Sequence, residues 1–391
     1  MPPQPGNVPT YFADINRYEY LDALRGLAAM AVMTRHSGDF WNFQIPRSYL
    51  AVDLFFLLSG FVIASAYDRK VASGQLNIWG FMKVRLIRLY PLFALSLLFS
   101  IVPFALNTVY SASPTLSIGN FALTVFFTAC ILPSRFTSSL GMFAINGPYW
   151  SLFFELVTNF FYVLIRPIMG RKGHVLLVLV TGAALAAGAI LEDTLNFGFS
   201  ISWHSYVAGF VRATFGIFFG LLLYQISDRK YRVLRYLKFP VVALPISISV
   251  FFIPIFTKNN GLLDILIVAL LLPIIVLLAA KPGRSRVGFL LVGLGTISYA
   301  LYVFHQPVAQ LLEFFFPEFV KQYAPLTGVA FTLLLCCFAL FIDKYFDRPI
   351  RRFLTKRFVP TIKPISDNSL NGIADINYTK VSSHLGHGTI I

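Results

Sequence analysis

The chain has 391 residues, of which 57% are hydrophobic and only 13% are charged, and its mean hydropathy is +0.71. Successive apolar runs approach the ~20 residues that a helix needs to cross the apolar core of a bilayer. A net charge of +15 would suggest nucleic-acid binding in a soluble protein, but here the basic residues fall in short loops between apolar runs. The composition therefore predicts a polytopic membrane protein with no nucleic-acid partner.

Eleven apolar segments are candidate membrane helices: 20–40, 50–67, 82–103, 118–133, 149–168, 174–191, 205–226, 239–256, 261–280, 289–312 and 325–343. All the basic loops can face the cytoplasm only if segment 118–133 does not cross fully. That segment is short and ends at Pro133, so we predict that it is re-entrant or interfacial. The expected fold is an all-α bundle of about ten transmembrane helices, with both termini cytoplasmic.

Three regions are predicted along the chain. Residues 1–17 form a short cytoplasmic segment without the apolar stretch and cleavage site of a signal peptide, 18–352 the membrane domain, and 353–391 a polar, disordered cytoplasmic tail. The cysteines lie in apolar runs, and two of them are adjacent, so we expect neither a disulfide framework nor a metal site.

The first apolar segment carries two ionisable residues, Arg25 and His36. Eleven helical steps bring them to within roughly 20° of the same face and about 16 Å apart along the axis. Ionisable groups inside a membrane helix are costly, and they mark functional sites by default. A fixed cation below an acid–base group suits a long anionic donor whose reactive end lies at His36.

The predicted topology sorts the other intramembrane polar groups into two layers. The second, fifth and tenth spans place Asp53, Glu155 and His305 in the outer half of the membrane, together with His36. Arg85 and Arg88 lie at the inner mouth of the third span, on one helix face, where they could bind phosphates.

Several of these residues have a structural alternative. His36 could form a packing hydrogen bond across helices, and His305 could bond the backbone carbonyl that Pro307 frees. Arg85 and Arg88 could simply anchor the inner leaflet.

The acidic and aromatic candidates also have structural alternatives. Asp53 and Glu155 could each pair with a buried cation, because a charge in lipid normally has a partner. The candidate cations are Arg25, Arg35 and Arg212. Tyr149 and Trp150 are typical of an interfacial aromatic belt.

Five motifs occur in order along the chain: Leu21-Asp22-Ala23-Leu24-Arg25-Gly26 with His36, Val52-Asp53-Leu54-Phe55-Phe56-Leu57-Leu58-Ser59-Gly60-Phe61, Arg85-Leu86-Ile87-Arg88-Leu89-Tyr90-Pro91, Trp150-Ser151-Leu152-Phe153-Phe154-Glu155 and Ile297-Ser298-Tyr299-Ala300-Leu301-Tyr302-Val303-Phe304-His305-Gln306-Pro307. As an ordered set, covering about residues 18–352, they resemble membrane acyltransferase family 3. The chain departs from that family at Asp347-Arg348-Pro349, where relatives often carry Glu before the Pro. It also has no SGNH-type esterase domain after the last helix, so a second transfer step would need a separate extracytoplasmic transferase.

The resemblance implies O-acylation, most often O-acetylation, of a cell-surface or exported carbohydrate or glycolipid. Cytoplasmic acyl-CoA, most often acetyl-CoA, is the implied cosubstrate, and no bound cofactor is implied. His36 would be the general base, and Glu155 or Asp53 would orient its imidazole. The implied donor-binding residues are Arg25 for the pantetheine or thioester oxygen, and Arg85 with Arg88 for the phosphates.

Other residues of these motifs and of the seventh segment are expected to contact the acceptor or to support the catalytic groups. They are His305, Trp150, Ser151, Arg212 and Tyr302. The acyl group could pass directly to the acceptor or rest first on His36 or Ser37.

Two other classes of protein stay open at this stage. A proton-coupled transporter or flippase also buries ionisable residues in its spans, although such proteins often contain internal repeats and none is seen here. A non-catalytic membrane sensor with a decayed site is disfavoured, because every candidate catalytic position is filled. The acceptor could be an O-antigen, an exopolysaccharide, a lipo-oligosaccharide or a small molecule.

Overall fold

The computed structural model describes residues 17–110, 116–137, 139, 141–228 and 239–359, and the regular secondary structure in these ranges is helical. The helices are α1 (Glu19–Arg35), α2 (Gly38–Trp41), α3 (Ala51–Ala72), α4 (Ile78–Tyr110), α5 (Ile118–Ala129), α6 (Tyr149–Ile165), α7 (Arg171–Glu192), α8 (Trp203–Asp228), α9 (Pro240–Phe251), α10 (Asn260–Ala279), α11 (Gly288–Phe315), α12 (Pro317–Gln322) and α13 (Leu326–Phe358). A turn of π-helix interrupts α10 at Ile267–Leu271 and α13 at Asp343–Asp347.

Among the described residues, seven helices are long and apolar enough to cross a membrane: α3, α4, α7, α8, α10, α11 and α13. Each of the eleven apolar segments contains a helix, so the predicted polytopic helical bundle is confirmed. Helix α5, in segment 118–133, has 12 residues and spans about 18 Å. Because the apolar core is ~30 Å thick, α5 cannot cross it alone, in agreement with the predicted partial insertion.

Helix α9 is shorter than the span that the sequence predicts over 239–256. It has 12 residues and ends at Phe251, because the chain beyond it is bound by Arg47. The backbone N–H of Arg47 donates to the Phe251 carbonyl at 3.0 Å, and its Nη2 donates to the Pro254 carbonyl at 2.9 Å. These bonds turn the chain away from the helix axis.

The last helix extends past the predicted boundary of the membrane domain at residue 352. Residues 353–358 continue α13, so the predicted disordered tail starts too early. The rest of that tail from residue 360 onwards, and residues 1–16 of the predicted N-terminal segment, lie outside the described residues.

A buried ion pair joins the loops at the end of the bundle where α1 ends. Arg47 and Asp264 are both fully buried and bonded to each other. Asp264 also accepts hydrogen bonds from the Tyr49 hydroxyl at 2.7 Å and from the backbone N–H of Leu195 at 2.9 Å. One carboxylate therefore ties together the α1–α3 connection, the segment after α7 and the start of α10.

The centre of the bundle consists of two closely packed helix pairs, α1 with α11 and α3 with α8, and α1 also contacts α3. Both pairs depend on glycine. A side chain at Gly26 would meet Leu294 of α11, and one at Gly60 would meet the backbone of Ile217. From the α8 side, Gly220 packs on the backbone of α3 in the same way. Small residues that let helix backbones approach are the usual means of packing in lipid.

We expect Gly60→Ala to destabilise the folded protein by about 1–3 kcal/mol, the usual cost of overpacking a closely packed contact. The control is Gly293→Ala on α11, where a methyl group meets nothing within 4 Å. This control should be neutral or slightly stabilising, because alanine is the better helix former. Thermal unfolding in detergent measures both, and equal melting temperatures would contradict the packing of α3 on α8.

Candidate active site

The end of α1 and the middle of α11 bring two histidines together. The ring centroids of His36 and His305 lie 5.4 Å apart, and the ring planes are inclined by 42°. His305 is fully buried, whereas His36, directly after the last residue of α1, is exposed. We call this pair the histidine layer. Of the two rings, only that of His36 is accessible from outside the protein.

The hydrogen bonds around His305 differ from the structural alternative that the sequence offered. The carbonyl that Pro307 frees is that of Val303, and it accepts a hydrogen bond from Nδ2 of Asn146 at 3.0 Å. Nδ1 of His305 lies instead 3.0 Å from the Leu301 carbonyl oxygen. Its Nε2 is buried and has no partner among the described residues. His305 therefore does not hydrogen-bond the carbonyl that Pro307 frees.

Asp53 forms a buried, two-pronged ion pair with Arg212 of α8. Nε and Nη2 of Arg212 donate to the two carboxylate oxygens at 2.7 and 2.6 Å. The same guanidinium donates to the carbonyls of Phe197 at 2.9 Å and Tyr49 at 3.0 Å. In the described part of the chain Asp53 makes no hydrogen bond to His36, so the geometry corresponds to the structural alternative, a partner for Arg212.

The aromatic residues at the start of α6 are buried, and the prediction that they form an interfacial belt is wrong. Tyr149 is fully buried, and the Trp150 ring lies 5.5 Å from the guanidinium of Arg212. Ser151, the next residue, has its hydroxyl 2.6 Å from that of Tyr302 on α11. The Trp-Ser pair therefore joins α6 to α8 and α11 beside the histidine layer.

Glu155 joins helix α6 to α4 and α3. It forms a salt bridge with Arg85 of α4, and Ser59 of α3 donates to it at 2.6 Å. Glu155 is thus bonded to Arg85 and Ser59, and it makes no hydrogen bond to His36 in the described part of the chain. The predicted cations also missed its partner. Arg85 is only 4% exposed, so its guanidinium is inside the protein.

Two further arginines lie close to this pair without a salt bridge in the described part of the chain. The charges of Arg88, Glu155 and Arg85 all act on Arg25, whose Nε is buried and lacks a hydrogen-bond partner. Arg88, on α4, is half-buried. We call Arg25, Arg88 and the Arg85–Glu155 pair the arginine layer. The charge of Asp22 acts on Arg25 as well, so three arginines stand against two carboxylates, and the remaining positive charge favours an anion.

A fourth cation borders the three of the arginine layer, and the sequence motifs do not include it. Arg351, in the last part of α13, lies within electrostatic range of Arg88 and pairs with Asp347 at 2.8 Å. The signal was the spacing of Asp347 and Arg351, four residues apart on one helix. Because Arg351 stands in a run of basic residues of the kind that orients membrane proteins, its pairing is not evident from sequence.

The chain belongs to the acyltransferase 3 family, since the family described as "Acyltransferase domain" matches residues 18–342. This protein is therefore a membrane acyltransferase. The match includes all residues of the histidine layer and, apart from Arg351 beside it, those of the arginine layer.

A relative named "Protein 2 in picA locus", from Rhizobium radiobacter, is 37% identical over 182 residues, which is 44% of this chain and 95% of the relative. No solved structure is significantly similar to the chain. Neither the family match nor this relative favours a transporter.

We expect Glu155→Ala to destabilise the protein by about 3–5 kcal/mol, because it leaves the Arg85 charge buried without a partner. Replacing both residues with methionine should recover much of that loss. The control is Asp39→Ala, which breaks an exposed pair with Lys321 and should cost under about 1 kcal/mol. Thermal unfolding measures all three, and equal effects of Glu155→Ala and Asp39→Ala would refute the buried pair.

Proposed function

We propose that this membrane acyltransferase transfers an acyl group, in the simplest case acetyl, from cytoplasmic acyl-CoA to a hydroxyl of a cell-surface or exported carbohydrate or glycolipid. Family membership supports acyl transfer. The donor, the acetyl group and the carbohydrate acceptor follow from the resemblance of the motifs. The location in a bacterial plasma membrane follows from the same resemblance, and the cytoplasmic termini from the distribution of basic loops.

One observation carries the proposal. Arg25 of α1, which has no salt bridge in the described part of the chain, and the exposed His36 at the end of α1 lie on one face, about 16 Å apart by helical rise. Acyl-CoA has the matching layout, since its phosphates are separated from the thioester by the extended pantetheine arm. Arg88 would bind the phosphates, with the charge of the paired Arg351 near it, and Arg25 would bind the arm. At this distance Arg25 does not reach a thioester held at His36, so the predicted contact with the thioester oxygen is the weaker option.

The geometry changes the role of Arg85 in donor binding. Its guanidinium is bonded to Glu155 and to Ser59, so phosphate binding would first have to break a buried pair. Arg88 has no such partner in the described residues. We therefore assign the phosphate contact to Arg88, and to Arg85 with Glu155 the support of the helices around it.

In the proposed reaction His36 takes the proton of the acceptor hydroxyl as its oxygen attacks the thioester carbonyl. The new C–O bond forms, the C–S bond breaks, and the thiolate of coenzyme A receives the proton from His36. Ser37 is an unsuitable acyl carrier, because it is fully buried and its hydroxyl donates to the Met33 carbonyl at 2.8 Å. This favours direct transfer over an acyl-enzyme on that serine.

The residues around the histidine layer would shape the acceptor side of the reaction. The hydroxyls of Ser151 and Tyr302 are hydrogen-bonded to each other, and Arg212 is bonded to Asp53 and to the Tyr49 carbonyl. Because these groups already have partners, we assign them the support of the histidine layer. Trp150 packs among them and lies against Arg212. Any further transfer to a distant glycan would fall to a separate extracytoplasmic transferase.

The proposal predicts transfer across the membrane. In proteoliposomes of defined orientation, labelled acetyl-CoA supplied on the cytoplasmic face should label a carbohydrate acceptor supplied only on the other face. His36→Ala should lower this rate by at least about 100-fold, because a general base contributes that much or more. Insertion and folding should be unchanged, as followed by size-exclusion chromatography.

The matched control is His204→Ala, which removes an exposed histidine at the start of α8. It should transfer at the wild-type rate. Transfer that requires donor and acceptor on the same face would reject the transmembrane route, and an active His36→Ala protein would reject the base.

Donor binding gives a second prediction. Arg88→Lys keeps the charge but loses the two-pronged contact with phosphate, so the KM for acyl-CoA should rise about tenfold with little change in thermal stability. Arg85→Lys should do the reverse and lower stability more than it raises KM, because that guanidinium is bonded to Glu155. Arg171→Lys, at an exposed position, is the control. An unchanged KM in the Arg88→Lys variant would reject the phosphate contact and favour the alternative that Arg88 anchors the inner leaflet.

A further inference from the structure

The proposed base has no carboxylate to orient it in the described part of the chain. Asp53 is bonded to Arg212, and Glu155 to Arg85 and Ser59. The ionisable side chain whose ring contacts His36 is another imidazole, that of His305. The orienting group predicted from the sequence must therefore be sought on α11.

The protonation of the His305 ring follows from its surroundings. Nδ1 lies 3.0 Å from the Leu301 carbonyl oxygen, and because a carbonyl only accepts, Nδ1 carries the hydrogen. In the neutral ring Nε2 then has a free lone pair. This atom is buried without a partner, a costly state for an acceptor unless a donor reaches it.

Few groups can supply that donor. Two rings contact His305, those of His36 and Tyr302, with centroids at 5.4 and 6.1 Å. The Tyr302 hydroxyl already donates to the Pro148 carbonyl at 2.8 Å. Substrate does not reach Nε2 directly, because the atom is buried behind the exposed His36. The available donor is thus an N–H of His36.

The two rings are in contact in the structure, but no hydrogen bond joins them. We propose that His305 is a positioning residue: a rotation of the His36 ring lets one of its nitrogens donate a hydrogen bond to Nε2 of His305. This bond fixes the tautomer of His36 and leaves its other nitrogen unprotonated toward the acceptor hydroxyl. The inference rests on the proposed function, in which His36 removes that proton. When His36 becomes an imidazolium, its bond to His305 persists. The proton then passes to the thiolate of coenzyme A, and His305 itself gains and loses none.

The first experiment compares His305→Gln, which keeps an acceptor near the position of Nε2, with His305→Leu, which removes it. We expect His305→Leu to lower kcat about tenfold or more, the effect of losing one strong hydrogen bond, with the KM for acetyl-CoA within about twofold of wild type. His305→Gln should recover most of kcat. Equal losses in both variants, or wild-type kcat in His305→Leu, would overturn the inference.

The second experiment needs no turnover and separates this inference from the proposed function. The ring nitrogens of ¹⁵N-histidine-labelled protein are observed by NMR in nanodiscs, with the His36 signals assigned by their loss in His36→Ala. Wild type should show His36 in one neutral tautomer, and His305→Leu a mixture of two. A single unchanged tautomer in His305→Leu would reject the hydrogen bond. A fixed tautomer in a protein without transferase activity would reject the proposed function alone.

Discussion

A charged side chain inside a membrane bundle must be paired or face a polar space, because lipid offers it no hydrogen bonds. In the described part of the chain, the buried arginines meet the requirement with acidic partners: Arg47, Arg85 and Arg212. These pairs join helices and loops that are distant in the chain, and they fix the frame of the bundle. Arg25 lies in the same interior without such a partner in the described residues. The paired arginines therefore stabilise the fold, whereas Arg25 is available to bind an anion in the proposed function.

The same constraint explains how the two layers keep their spacing. Helices in lipid associate by close packing, and here glycines let the backbones touch: Gly26 against α11, and Gly60 and Gly220 between α3 and α8. Helix α1, which carries Arg25 and His36, is packed along α11, which carries His305. The histidine layer is therefore set by the rigid contact of two helices, and the exposed loops play no part in aligning its rings.

Separating the arginine layer from the histidine layer has a chemical advantage. A base that must accept a proton is weakened by a nearby cation, because the imidazolium would then be repelled. The phosphates of a donor need cations in their binding site. About 16 Å along one helix lets the protein bind the charged end of a substrate without placing that charge beside His36. The ring in contact with His36 is the imidazole of His305, and the guanidinium of the adjacent Arg35 lies over the Tyr49 ring at 5.2 Å.

The sequence by itself determined the class and the family of this protein, because apolar run length and an ordered set of motifs are local properties of the chain. The placement of Arg25 and His36 on one face also needed only helical periodicity. The tertiary structure alone decided the partners: Glu155 with Arg85, Asp53 with a cation chosen from three candidates, and His305 with His36. Each of these contacts joins helices far apart in sequence, and helix packing depends on which small residues meet across an interface, which no single segment specifies.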